Sequence, residues 1–355
     1  MIVLDKKVVS KYLSAVKEIS SAHKYYDVHV HPYEVVFDEF VYPFGSTAGD
    51  VISISDSEYR IPEISEIVLY PLINKVKSFD MTSLKKITMM RLRYTYGHIG
   101  SKVFSDQMEL GGINKALLLP VASFHGGVEE KMIMLRSLYP DKNKFWIAGS
   151  VPNTICNNDI EKYVLRMCKE FDIRALKVHP IITGININSN NGKDRFLYIL
   201  DACGKNHLPL ILHCGSRSNI YEHERGGYAL IDNIREIAWE ISKSPVVIAH
   251  AGLYQCDDSE IKDKVLIDMK KMISKHDHLY VDISGIGYDS LSKVLTGLDR
   301  DRILFGSDAL YEPQWTKVVT LMHALRCLEN SAEESYIKIA SSNPFKVIFK
   351  EYVSS

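Results

Sequence analysis

Eight short apolar runs recur along the chain, and stretches of mixed polarity separate them. The runs are "YYDVHVH", "KALLLPV", "FWIAGSV", "RALKVHP", "LPLILHCG", "PVVIAHAG", "HLYVDISG" and "RILFGSD". Several are almost continuously apolar, the pattern of parallel strands buried on both faces. Between them, "VEEKMIMLRSLY", "DIEKYVLRMCKEF", "DRFLYILDACGKN", "YALIDNIREIAWEIS", "IKDKVLIDMKKMISKH" and "QWTKVVTLMHALRCLE" carry apolar residues at helical spacing. This alternation predicts an α/β fold, a (β/α)8 barrel of the TIM type, rather than an open doubly wound sheet. No G-x-G-x-x-G follows the first run, which weighs against a dinucleotide-binding fold. A length of 355 residues suits one such barrel.

Two segments stand outside the alternation. Val8, Val9, Tyr12, Leu13, Val16 and Ile19 have the spacing of an amphipathic helix, so residues 1–24 are expected to form an N-terminal helix ahead of a single barrel over 25–355. The stretch from residue 32 to 112 is far longer than an ordinary strand-to-helix connection. "SLKKITMMRLRYTYGHI" within it reads as partly helical. Because it leaves the C-terminal end of the first strand, it emerges on the face where barrels keep their active sites. A lid or a subunit contact is expected there.

Lys plus Arg (43) balances Asp plus Glu (44), so no global field favours nucleic acid or an anionic membrane. No apolar run approaches the length of about 20 residues that spans a bilayer. Asp5, Lys6 and Lys7 interrupt any signal-peptide core. Cys156, Cys168, Cys203, Cys214, Cys256 and Cys327 are scattered without a C-x-x-C pair, which suits a reduced cytoplasmic protein. Cys214 adjoins His213 but faces the opposite side of a strand.

The first run contains Asp27-Val28-His29-Val30-His31. Strand alternation would point Asp27, His29 and His31 one way, and Val28 and Val30 the other. Two imidazoles on one face are able to share an ion. His213 and His250 close two later runs, Asp308 ends the last, and Lys177 and His179 sit two apart near the end of another. Catalytic groups of a barrel lie at the C-terminal ends of its strands. One histidine there is ordinarily a hydrogen-bonded core residue, but five strands delivering candidates to the same end indicate a metal site.

The ordered set "DVHVH", "LKVHP", "LILHCG", "VIAHAG" and "LFGSDA", followed by "SSNPFKVIF", resembles the amidohydrolase superfamily. More narrowly it is similar to the amidohydrolase 2 branch that includes aminocarboxymuconate-semialdehyde decarboxylase relatives. The resemblance spans residues 25–349. It implies that His29 and His31 hold a divalent ion, zinc by expectation, together with Asp308, and that His213 is a further ligand. His250 would help bind a second ion or polarise the substrate's carbonyl. In dinuclear members a lysine at the place of Lys177 is carboxylated and bridges two metals. The other reading of Lys177 is an ordinary lysine touching substrate or a carboxylate, so one or two ions per chain are both open.

The chemistry of the residues agrees with this. Imidazole and carboxylate suit zinc, whose catalytic sites keep a position for water. Asp308 is placed to move that water's proton. Asp27 is either a ligand or a partner behind the ligands that orients His29 or His31. Arg217 is suited to a substrate carboxylate or phosphate, or else is a solvated loop charge. His179 is expected to contact substrate or support the ligands. His125, Asn153, Tyr254 and Ser284 lie just after strands and are further candidates for substrate contact.

The function expected from these features is metal-dependent hydrolysis of an amide, lactone or ester bond in a small molecule. The alternative is non-oxidative decarboxylation of an aromatic or unsaturated carboxylic acid. A non-catalytic barrel is disfavoured by the complete ligand set. A homodimer is the default assembly for such an enzyme.

Overall fold

The computed structural model describes residues 2–32, 58–61, 100–122, 127–215, 225, 227–254, 256, 258–309 and 312–350. The expectations for most of residues 32–112, and those for His125 and Arg217, fall outside the described residues. The strands are β1 (Ile2–Asp5), β2 (Tyr25–Val30), β3 (Glu58–Ile61), β4 (Ile113–Leu118), β5 (Phe145–Gly149), β6 (Ala175–Val178), β7 (Leu210–Leu212), β8 (Val246–Ile248), β9 (Leu279–Asp282) and β10 (Ile303–Leu304). The helices are α1 (Lys6–Ser20), α2 (Ser101–Leu110), α3 (Val128–Leu138), α4 (Ile160–Phe171), α5 (Pro180–Thr183), α6 (Asn190–Lys205), α7 (Ile231–Ile234), α8 (Ser259–Lys275), α9 (Tyr288–Gly297), α10 (Gln314–Leu328) and α11 (Ala332–Ile337).

The eight predicted strands are β2 and β4 to β10. They form one parallel sheet in the order β10-β9-β8-β7-β6-β5-β4-β2. The seam between its two ends is closed by Val28 N–H donating to the Phe305 carbonyl (3.1 Å), Asp308 N–H to the His29 carbonyl (3.0 Å) and a bridge from Val30 to Ala309. The fold is a (β/α)8 barrel.

Alternation along each strand sorts its side chains into two layers. Leu118, Ile147, Leu176, Leu210 and Val281 pack outward with the helices. Tyr26, Val28, Leu117, Ile211, Val247 and Tyr280 pack together inside the barrel with Val347, Ile348 and Phe349. Phe349 stacks on Tyr26 with ring centres 4.7 Å apart and lies 5.1 Å from Trp146, closing the barrel's N-terminal end.

Three details differ from the sequence reading. The N-terminal segment is not one helix: Ile2–Asp5 is a strand paired antiparallel with Glu58–Ile61, and the helix begins at Lys6, where the Asp5 carboxylate caps it by accepting from Lys7 N–H (2.6 Å). The helix expected over "YALIDNIREIAWEIS" reduces to the single turn α7 and a short 3-10 turn, Trp239–Ile241. There Trp239 turns into the core against Phe196, and its carbonyl accepts from His278 instead of continuing a helix. Finally, α2 lies within the long stretch after β2 but buries Val103, Phe104 and Met108, so it belongs to the barrel's core.

Candidate metal centre

Strand β2 does not alternate regularly. Asp27 pairs with Ala116 and Val30 with Leu118, so β2 carries one extra residue between these pairs. Such a bulge reverses the facing of the residues beyond it. The expected arrangement, with Asp27, His29 and His31 on one face, is therefore corrected. Asp27 lies on the helix side with Ser307 and Gln314, Val28 packs inside the barrel, and His29 and His31 turn inward beyond the bulge.

The two histidines converge. His29 Nδ1–H donates to Asp282 Oδ2 (2.8 Å), and His31 Nδ1–H donates to the Leu119 carbonyl (2.9 Å). Both partners only accept, so both Nε2 atoms bear lone pairs. These Nε2 atoms stand 3.1 Å apart, and Asp308 Oδ1 lies 3.7 and 3.8 Å from them. Facing lone pairs repel unless a cation lies against them. Two zinc–nitrogen bonds of about 2.0–2.1 Å at a tetrahedral angle would set the nitrogens about 3.4 Å apart. The donor set His29, His31 and Asp308 thus fits a divalent ion.

Lys177, fully buried on β6, places Nζ 3.0 Å from His29 Nε2. Burial lowers the lysine and raises the Asp308 carboxyl, and the attraction between the two opposes both shifts. Burial also holds His29 well below the ordinary histidine value, with the Lys177 charge adding to it, and lowers His31 to about 3. His179, His213 and His250 are shifted the same way, again chiefly by burial. Neutral imidazoles are the form that binds metal.

Across the barrel mouth, His250 Nδ1–H donates to the Ser284 carbonyl (2.8 Å), which leaves Nε2 to accept from His213 Nδ1–H (3.0 Å). His213 in turn keeps its lone pair on Nε2. Its ring stacks on His179 with centres 3.8 Å apart, and Tyr254 meets it edge-on at 5.1 Å. His250 (φ 59°) and Asp308 (φ 64°) adopt left-handed backbone, an uncommon state for such residues and a recurrent one at functional sites.

Two glycines make the close packing feasible. A Cβ on Gly306 would stand 2.9 Å from His29 Cβ, and one on Gly285 would stand 2.4 Å from Asp308 Oδ2.

The structure brings together His29, His31, Lys177, His179, His213, His250 and Asp308. Asn153 instead donates to the Thr183 carbonyl, and Asp27 meets His29 through its backbone N–H (3.1 Å) rather than its ring. Three residues of the centre were missed. Asp282 takes the His29 ring proton and accepts from His250 N–H (2.9 Å) and Ser284 N–H (3.0 Å). As the acid ending "HLYVD", it was detectable by the strand-end rule that found Asp308. Lys317, fully buried on α10, donates to the Ile286 carbonyl (2.6 Å) and lies 3.7 Å from Glu312. In "EPQWTKVV" nothing separates Lys317 and Glu312 from the solvated charges of any helix start.

No curated protein matches the chain. Among solved structures it is similar to an uncharacterised TIM-barrel protein from Bordetella bronchiseptica, with a TM-score of 0.55 and 14% identity over 91% of this chain and 98% of that one. It is similar to 5-carboxyvanillate decarboxylase from Sphingomonas paucimobilis, with a TM-score of 0.56 and 11% identity over 92% and 99% of the two chains. It also resembles a probable 2-pyrone-4,6-dicarboxylic acid hydrolase from Acinetobacter baumannii, with a TM-score of 0.52 and 14% identity over 91% and 98%. At these identities the likeness is one of fold. The model of the amidohydrolase family matches residues 149–347, which contain five of the eight barrel strands and His213, His250, Asp282 and Asp308. With its buried His/Asp cluster at the mouth of such a barrel, the protein is a metal-dependent enzyme, and the chain belongs to the amidohydrolase family.

Proposed function

We propose that the protein hydrolyses an amide, lactone or ester bond of a small molecule, with His29, His31, His213 and Asp308 holding zinc. The observation that carries this reading is the pair of lone-pair-bearing imidazole nitrogens, 3.1 Å apart, with a carboxylate facing both. A zinc ion held by these residues would supply a polarised water and a Lewis acid for the substrate carbonyl. Asp308, whose Oδ1 faces both nitrogens, would be placed to take a proton from an attacking water and pass it to the leaving group. Asp282 holds the His29 ring, and His250 holds the His213 tautomer by accepting its Nδ1–H, a role we assign to it in place of polarising a carbonyl. Lys177 and His179, with Arg217, offer positive or donor groups to an anionic substituent of the substrate.

Non-oxidative decarboxylation is the second reading, favoured by one observation. Lys177 Nζ lies 3.0 Å from His29 Nε2, beside the proposed metal ligands, where its charge would meet the carboxylate of a substrate bound there. The similar fold of 5-carboxyvanillate decarboxylase carries that activity in another protein. Two measurements on protein purified without chelator separate the readings: metal stoichiometry by elemental mass spectrometry, and product analysis on lactones and on aromatic carboxylic acids. Ring opening without carbon dioxide, lost in His31→Ala together with the metal, supports hydrolysis. Carbon dioxide release with one ion per chain favours the second reading. Full metal content in the His29→Ala/His31→Ala protein would overturn both. Cytoplasmic residence and a homodimer complete the proposal. Among the described residues, no helix is long and apolar enough to cross a membrane.

A further inference from the structure

The barrel closes where its first and last strands meet, and that seam carries three of the clustered donors. His29 lies on β2, His31 directly follows it, and Asp308 follows β10. Few bonds fix the register there: Val28 N–H to the Phe305 carbonyl (3.1 Å), Asp308 N–H to the His29 carbonyl (3.0 Å), and His31 N–H to the Ala309 carbonyl. A shift along this seam moves two imidazoles relative to the carboxylate.

On the helix side of the seam sits the fully buried carboxylate of Asp27. It accepts from both strands at once. His29 N–H reaches Oδ1 at 3.1 Å, Ser307 N–H reaches the same oxygen at 3.1 Å, and Ser307 O–H reaches Oδ2 at 2.6 Å. Gln314 Nε2–H adds a fourth bond from α10 at 2.9 Å. Ser307 immediately precedes Asp308, and its Oγ also accepts from Ala309 N–H (3.0 Å). The bulge in β2 makes this possible: Asp27, ahead of it, faces outward to Ser307 by ordinary alternation, while His29, beyond it, points inward. All four donors are neutral, so among the described residues no charge partner offsets the desolvation of an ionised carboxylate. An apolar pair would close the seam without that cost.

We propose that Asp27 is a positioning residue of the metal centre. By gripping the backbone of His29 and of Ser307, it sets the separation between the His29–His31 pair and Asp308. Ser307 is the second half of the device. The inference rests on the reading of His29, His31 and Asp308 as metal ligands, and it differs from an orienting role at the ring, which Asp282 fills.

The test is zinc titration of metal-free protein against a competing chromophoric chelator, alongside thermal unfolding. Asp27→Asn keeps the shape but puts an amide N–H₂ where Oδ2 accepts from Ser307 O–H and Gln314 Nε2–H, so both of those bonds must be lost or reversed. It is expected to weaken zinc affinity about 10–100-fold, the range for partners standing behind metal ligands. Ser307→Ala is expected to weaken it in the same direction, and serves alone if Asp27→Asn fails to fold. Phe349→Leu, at the far end of the barrel, supplies a destabilised control with zinc affinity unchanged. If Asp27→Asn and Ser307→Ala lose thermal stability like the control and bind zinc within twofold of wild type, the positioning role is overturned. Wild-type protein that takes up no zinc, or an affinity unmoved by His31→Ala, overturns the metal reading and this inference with it.

Discussion

The two ends of the barrel are built from the same strands and solve opposite problems. At the N-terminal end Tyr26, Trp146 and Tyr280 fill the interior with Phe349, and Lys115 and Arg174 stand over the Trp146 ring at 4.5 and 4.9 Å. Contact there is apolar and non-directional, apart from the cations at its edge. At the other end the same strands deliver His29, Lys177, His213 and Asp282 into a buried polar network, where each donor needs a particular acceptor. The floor is expected to tolerate exchange of shape for shape, and the mouth little exchange of any kind. Stability and chemistry are thereby separable along one strand, and substitutions at each end are expected to read out differently.

The largest expected effect is at the mouth. Replacing His29 and His31 together by Ala should remove bound metal and abolish turnover, while the secondary structure seen by far-UV circular dichroism persists. Elemental mass spectrometry and activity check this, and a metal-loaded double variant would break the comparison. Next, at the floor, Phe349→Ala should cost about 3–5 kcal/mol of stability by denaturant unfolding, as a buried aromatic truncation does. Metal stoichiometry should stay that of the wild type. Loss of metal in this folded variant would mean that the two ends are coupled.

Gly285→Ala sharpens the contrast within the mouth. Gly285 has φ 55°, and an added Cβ would press on Asp308 Oδ2. Left-handed backbone costs a non-glycine residue roughly 1–2 kcal/mol. The larger consequence is displacement of Asp308, so metal affinity should fall about 10-fold or more. The smallest effect concerns thiols. Burial pushes Cys214 up to about 12 and raises Cys203 as well, so both stay protonated near neutral pH, where the thiolate is the reactive form. Exposed Cys156 and Cys327 should be alkylated within a mild iodoacetamide treatment, and Cys214 only after unfolding. Mass spectrometry of the labelled peptides checks this.

The fold was legible because parallel strands buried on both faces leave long apolar runs, and these survive in "KALLLPV" and "PVVIAHAG" without any alignment. His29, His31, Lys177, His213, His250 and Asp308 were legible for the related reason that polar residues break those runs at one end. What the alternation rule missed is instructive. The bulge in β2 is a backbone event with no residue that announces it, so Asp27 was placed on the face of the histidines when it lies behind them. Asp282 was overlooked although it ends its strand as Asp308 does. The broken helix before β8 followed from Trp239, whose burial against Phe196 outweighed a spacing that looked helical. Gly285 and Gly306 gave no signal either, since the need for a missing side chain appears only when distant strands meet.

The seam also has a consequence for the order in which the molecule is made. Residues on the first barrel strand emerge from a ribosome long before Asp308, and the floor residues Val347 to Phe349 emerge later still. Domains fold as units during vectorial synthesis, and contacts between segments distant in sequence form late. Nascent chains stalled before Ile303 would carry His29, His31 and His213 but lack the carboxylate and the strand that aligns it. Ion capture by such chains should therefore be weak, and stable retention of metal would mark the moment at which the barrel has closed.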